Sequence, residues 1–122
     1  LQLAILHKHS GIATFDQDVF INVVGGIKVS ETASDLVVML SIVSSLRDKV
    51  IPNNWIAFGE VGLTGEVRPV YNAQERLSEA QKQGFELAII PKGNEPKKHI
   101  KGIKTIPVGY LYQAIQYLLE NS

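Results

Sequence analysis

Hydrophobic and polar residues alternate along this chain with two different periods, and the changes of period mark out its elements. QLAILHKHSG reads as the last turns of a helix closed by Gly11, so residues 1–11 are expected to be the tail of a linking helix. DVFINVV alternates as a strand does. Gly25-Gly26 then gives a tight hairpin or a bulge before a second short strand, IKV. From about 33 to 47 the spacing becomes helical and apolar around most of the circumference, which predicts a central helix covered on several sides. Thr32, with Asp35 three residues on, fits a capping pair at its start. RDKVIPNN is a turn.

The second half repeats the alternation. WIAFGEVGLTGEVRPV predicts two short strands around a glycine-rich bend. NAQERLSEAQKQGF is amphipathic at helical spacing, with Asn72 as its cap and Gly84 just past its end. LAIIP is a short buried strand, PKGNEPKKHIKG a basic loop and KTIPV another strand, and GYLYQAIQYLLEN closes the chain as an amphipathic helix. With no internal repeat, low-complexity tract or linker, the expectation is one α/β (α+β) domain over 1–122, with several strands and three or four helices.

Composition narrows the function classes. A chain of 122 residues, 45% hydrophobic and 20% charged, is long enough to bury a core without staples. Twelve basic and twelve acidic residues cancel, but not evenly along the chain. PKGNEPKKHIKGIK (91–104) holds five lysines against one glutamate, a local +4 that leaves −4 for the remainder. The absence of cysteine excludes disulfides, zinc–thiolate sites and thiol nucleophiles. The longest mainly apolar run, LVVMLSIVSSL, is shorter than the roughly 20 residues a membrane helix needs, and no signal-peptide pattern opens the chain. The start at Leu1 suggests a segment of something longer.

Few residues invite a catalytic reading. His7 and His9 are two apart and face different ways on a helix, and His99 has no neighbouring ligand, so metal binding is not expected. The glycines of FGEVGLTGE match neither a P-loop nor a dinucleotide fingerprint. No spacing rule pairs Asp35, Glu60 and Glu66 as an acid–base set; surface or turn carboxylates are the plainer reading. Trp55, Tyr110, Tyr112 and Tyr117 suit packing rather than base stacking. Ser34, near a helix start where backbone N–H groups point outward, is the one nucleophile candidate.

FGEVGLTGEVRPVYNAQERL resembles the proteolytic domain of Lon-type proteases, in which TGE-x4-G-x3-P precedes a helix. Gly59, Glu60, Gly65 and Pro69 stand at the matching positions. The resemblance covers most of the chain from about Asp18. It implies the Lon-protease-like (ribosomal protein S5 domain 2-like) fold, with a mixed sheet. Those peptidases use a Ser-Lys dyad. Alignment back from the Gly-Glu motif sets Ala33 at the nucleophile, while alignment forward from DVFINV sets Ser34 there; the nearer helix match favours Ala33. Counting forward from Gly59-Glu60 brings the lysine position to Arg76, and the family's threonine before Gly-Glu is Phe58. A lysine base must lose its proton to activate serine, which arginine does not do. The resemblance therefore implies a degenerate, non-catalytic site, with residual peptidase activity at Ser34 as the competing reading.

DVFINVVGGIKVSETASDL, VSSLRDK, FGEVGLTGEVRPV, QERLSEA and GFELAIIPKGN together resemble the C-terminal domain of the bacterial RadA (Sms) family. That resemblance implies cytoplasmic proteins of DNA repair and recombination. They carry a zinc finger and a RecA-like ATPase core, form hexameric rings, bind DNA and drive branch migration with ATP beside RecA. The zinc-finger cysteines and Walker motifs are not in these 122 residues, so Zn, ATP and Mg are expected only in domains outside them, and no cofactor within. The candidate phosphate contacts are Lys92, Lys97, Lys98, Lys101 and Lys104, with Lys8, Lys28, Arg47 and Arg76 as weaker ones. Contact without base readout is the form expected, and a protein-interaction module that never touches DNA is the alternative.

Overall fold

The computed structural model describes residues 32–122. The expected helix tail at 1–11, the strands DVFINVV and IKV, and His7, Lys8, His9 and Lys28 lie outside the described residues.

The sequence from Thr32 begins as a 3-10 turn, Thr32–Ser34, that runs into helix α1, Asp35–Leu46. Its start is braced by tertiary contacts rather than by the expected Thr32–Asp35 pair. Leu36 N–H donates to the carbonyl of Gly59 at 2.9 Å, and Gly59 N–H donates to the carbonyl of Ala33 at 2.9 Å. The Asp35 carboxylate accepts from Val61 N–H at 3.1 Å, so it serves a neighbouring strand instead of its own helix end. Leu36, Val37 and Leu40 are buried, while Met39 and Leu46 are exposed, so the cover expected on several sides is incomplete. Asp48, at φ 55°, takes the left-handed conformation that ends the helix.

Strands β1 (Trp55–Ala57), β4 (Leu87–Pro91) and β5 (Lys104–Val108) form a parallel sheet in the order β1-β4-β5. Trp55 pairs with Leu87, and Leu87 in turn with Lys104. The central strand is apolar on both faces, as its LAIIP sequence predicts. Pro107 sits on β5, an edge strand among the described residues, where a missing N–H costs least.

Between β1 and β4 the chain makes the antiparallel pair β2 (Glu60–Val61) and β3 (Val67–Arg68), then helix α2, Ala73–Lys82. WIAFGEVGLTGEVRPV thus yields three strands in two sheets, not the two expected. The break falls at Gly59, where a φ of 154° and a close approach to Val67 turn the chain out of the first sheet. Helix α2 buries Ala73, Leu77 and Ala80 along one stripe, and Gly84, at φ 95°, follows its end as predicted. Asn72 stands at its N-terminus in a left-handed conformation and makes no side-chain cap, a correction to the expected role. Helix α3, Leu111–Asn121, closes the chain. Its Ala114 and Leu118 are fully buried, and Tyr117 packs its ring 5.4 Å from that of Trp55.

The α/β reading holds: three α-helices are described with a parallel sheet and a small antiparallel one. No helix among the described residues is long and apolar enough to cross a membrane.

Candidate functional site

Two features on neighbouring elements concentrate the chemistry. The first is an open cleft of about 350 Å³ between the start of α1 and the chain that leads into α2. Thr32, Ala33 and Glu60 form one wall, and Pro69, Val70, Tyr71 and Arg76 form the other. Ala33 and Arg76, 43 positions apart in sequence, therefore share one cavity. Ser34 does not line it; this residue occupies the N-cap position of α1 at 1% exposure.

Arg76 has a visible local task. Its Nε donates to the carbonyl of Tyr71 at 2.9 Å, and its backbone N–H donates to that of Asn72 at 3.0 Å. The guanidinium thus folds back over the left-handed turn that launches α2. A guanidinium there supplies charge and hydrogen bonds but is no base for a hydroxyl.

The three carboxylates considered as an acid–base set are engaged separately. Asp35 holds Val61, as above. Glu60 and Glu66 both face Arg68, at 4.0 Å and 2.7 Å. Glu66 also accepts from the Thr64 hydroxyl at 2.5 Å and the Thr64 N–H at 3.2 Å. Thr64's hydroxyl first and Arg68 next lower the Glu66 pKa from 4.5 to about 2, and the bond to Glu66 in turn raises that of Arg68. The bonds brace the hairpin tip, which is a structural use.

A titration checks this. The folded pKa is the lower one, so what the charged group adds to hairpin stability is present above about 4.5 and fades as pH falls toward 2. Following the Glu66 side-chain carboxyl by NMR should give a midpoint near 2. A midpoint at the ordinary carboxylate value would mean that the Thr64 and Arg68 bonds do not persist in solution.

The second feature is the connection from β4 to β5. Parallel strands are usually joined by a helix; here residues 92–103 make the crossover with a single 3-10 turn, Lys92–Asn94. Ile103 is buried and Ile100 half-buried against the core, and Lys101 between them is exposed. Lys92, Lys97, Lys98, Lys101 and Lys104 are all exposed, as is His99. A groove of about 510 Å³ runs between this crossover and the start of α2, with Lys97 and Lys98 among its lining residues and Ala73 and Gln74 opposite. Arg47 is exposed at the end of α1, on a different element from the lysines.

One residue with no role expected from sequence joins the two features. Asn94, at the start of the crossover, pairs its side-chain amide with the backbone of Val70 in the cleft wall. Asparagine next to a glycine in PKGNEP signals a turn in sequence, but not this partner.

Comparison with known proteins adds the family. The model described as subunit ChlI of Mg-chelatase matches residues 2–94, more than half of the chain. The chain belongs to this family. Among curated relatives, the DNA repair protein RadA of Pseudomonas aeruginosa is 58% identical over 118 residues, 97% of this chain and 26% of the relative. That of Escherichia coli strain K12 is 54% identical over 113 residues, 93% of this chain and 25% of the relative. That of Aquifex aeolicus is 47% identical over 118 residues, 97% of this chain and 26% of the relative. The resemblance to the RadA family drawn from FGEVGLTGEVRPV and its companion motifs is borne out. The chain spans about a quarter of the length of these relatives.

Proposed function

We propose that this domain is a non-catalytic, Lon-like scaffold that presents a basic surface to DNA phosphates within a protein of DNA repair and homologous recombination. The observation that carries the reading is the lysine crossover. Four exposed lysines sit on one connection and a fifth, Lys104, opens the strand that follows, in a chain 58% identical to a protein named for DNA repair. Lysine–phosphate contact releases counterions and is indifferent to base sequence. Support for a non-catalytic cleft comes from Ala33, which has no nucleophile, beside Arg76, which does not act as a base. On this reading the whole protein is a cytoplasmic, ATP-driven hexameric ring that promotes branch migration, with RecA as a further contact. ATP, magnesium and zinc belong to domains outside these residues.

The test is salt-dependent binding of duplex DNA by the intact protein. Replacing Lys97, Lys98 and Lys101 together by alanine should weaken binding and flatten the plot of log affinity against log salt. The slope should fall by about 0.9 for every phosphate that the variant no longer neutralises. An unchanged slope and affinity would favour a module that binds only protein. Labelling of Ser34 by a serine-reactive probe would overturn the non-catalytic reading.

A further inference from the structure

The crossover that carries the lysines is irregular for most of its length, yet it is fastened at one point to the cleft wall. Asn94 Oδ1 accepts from Val70 N–H at 2.7 Å, and Asn94 Nδ2 donates to the Val70 carbonyl at 3.2 Å. One side-chain amide thereby satisfies both backbone groups of a single residue, as a neighbouring strand would. Beside it, Gly93 lies so close to Pro69 that an added Cβ would stand 2.5 Å from the proline Cγ. The next hold on the core is Ile100. Between these two fixed points lie the exposed Lys97 and Lys98.

We propose that Asn94, seated by Gly93 against Pro69, is a positioning residue for the nucleic-acid-binding loop. It fixes where Lys97 and Lys98 are held before any phosphate arrives. The inference rests on the reading of this crossover as the DNA surface. Its physical basis is preorganisation: a loop already in its bound shape loses less conformational freedom on binding. Asn94 carries no charge, so its removal should leave the number of neutralised phosphates, and hence the salt slope, unchanged.

The experiment compares Asn94→Ala, Gly93→Ala and the triple lysine variant in the intact protein, using a fluorescent duplex of arbitrary sequence between roughly 50 and 200 mM salt. Asn94→Ala removes the two hydrogen bonds; Gly93→Ala forces the turn away from Pro69 by a different route. Both should bind about tenfold more weakly, the effect expected from one or two hydrogen bonds, at the parental salt slope. Exchange of the Val70 amide should quicken in both. The triple lysine variant should instead flatten the slope. If both seam variants bind like the parent while the lysine variant is weakened, the role of Asn94 is overturned and the DNA reading stands. If the lysine variant also binds like the parent, both fall.

Discussion

Gly59→Ala should destabilise the domain by about 3 kcal/mol and lower its thermal midpoint on the order of 10 °C. Two costs meet at this position. Its φ of 154° lies where L-residues are strained, and a Cβ would stand 2.9 Å from Val67 Cγ1 and 3.3 Å from Pro91 Cγ. The strain and the overpacking are each worth roughly 1–3 kcal/mol. Moving the residue also disturbs the two 2.9 Å hydrogen bonds that tie Gly59 to Ala33 and Leu36, and so the wall of the cleft. Gly65 supplies the control. Its φ of 84° is also left-handed, but an added Cβ meets nothing within 4 Å, so Gly65→Ala should show the backbone cost alone. Urea unfolding of the two variants checks the difference. Equal midpoints would mean that the contact with Val67 relaxes freely, and that packing does not dictate glycine in the FGE motif.

How much of this was legible beforehand depends on whether an element is determined locally. Helix α2 was readable from the period of NAQERLSEAQKQGF and from Gly84, because amphipathic spacing and a left-handed terminus are properties of adjacent residues. Helix α3 and strands β4 and β5 were readable for the same reason. The split between β1 and β2 was not. In sequence WIAFGEV runs on, and the break appears only when Gly59 is wedged between Ala33, Val67 and Leu36. Asp35 misled in the same way. Its spacing from Thr32 suggests a capping pair, but Val61, 26 residues away, offers the N–H it takes. Asn72 stands where a cap belongs, but acts through its backbone conformation.

The candidate site divides along the same line. A cluster of five lysines is a property of composition, and its exposure follows from the solvation of charge. Gap-free counting led to Ala33 and Arg76, and the two residues do share a cleft. Counting leaves the register open by one residue; Ala33 and Ser34 are both buried, but Ala33 lines the cavity and Ser34 does not. The bond from Arg76 to the Tyr71 carbonyl and the Asn94–Val70 pairing were out of reach. The first depends on a left-handed turn, and the second joins residues 24 positions apart on separate elements.

Phe58→Ala should remove about 3–5 kcal/mol, the largest effect expected from any single substitution considered. Phe58 is fully buried and heads the fully buried side chains by volume. It continues β1, with its N–H on the carbonyl of Ile89 at 3.2 Å, and immediately precedes Gly59. Truncation therefore opens a cavity next to the strand break that organises the cleft. Against a total stability of roughly 5–15 kcal/mol, a change of this size leaves a large unfolded fraction at modest denaturant. Phe58→Thr, which introduces the threonine that the Lon-type resemblance implies before Gly-Glu, should be no milder, because it leaves a cavity and also buries a hydroxyl. Leu63→Ala is the fitting comparison: this leucine is fully exposed, and its truncation should change stability by less than about 0.5 kcal/mol. Denaturant midpoints for the three variants decide the point. If Phe58→Thr were as stable as the parent, the phenylalanine would not be needed for packing.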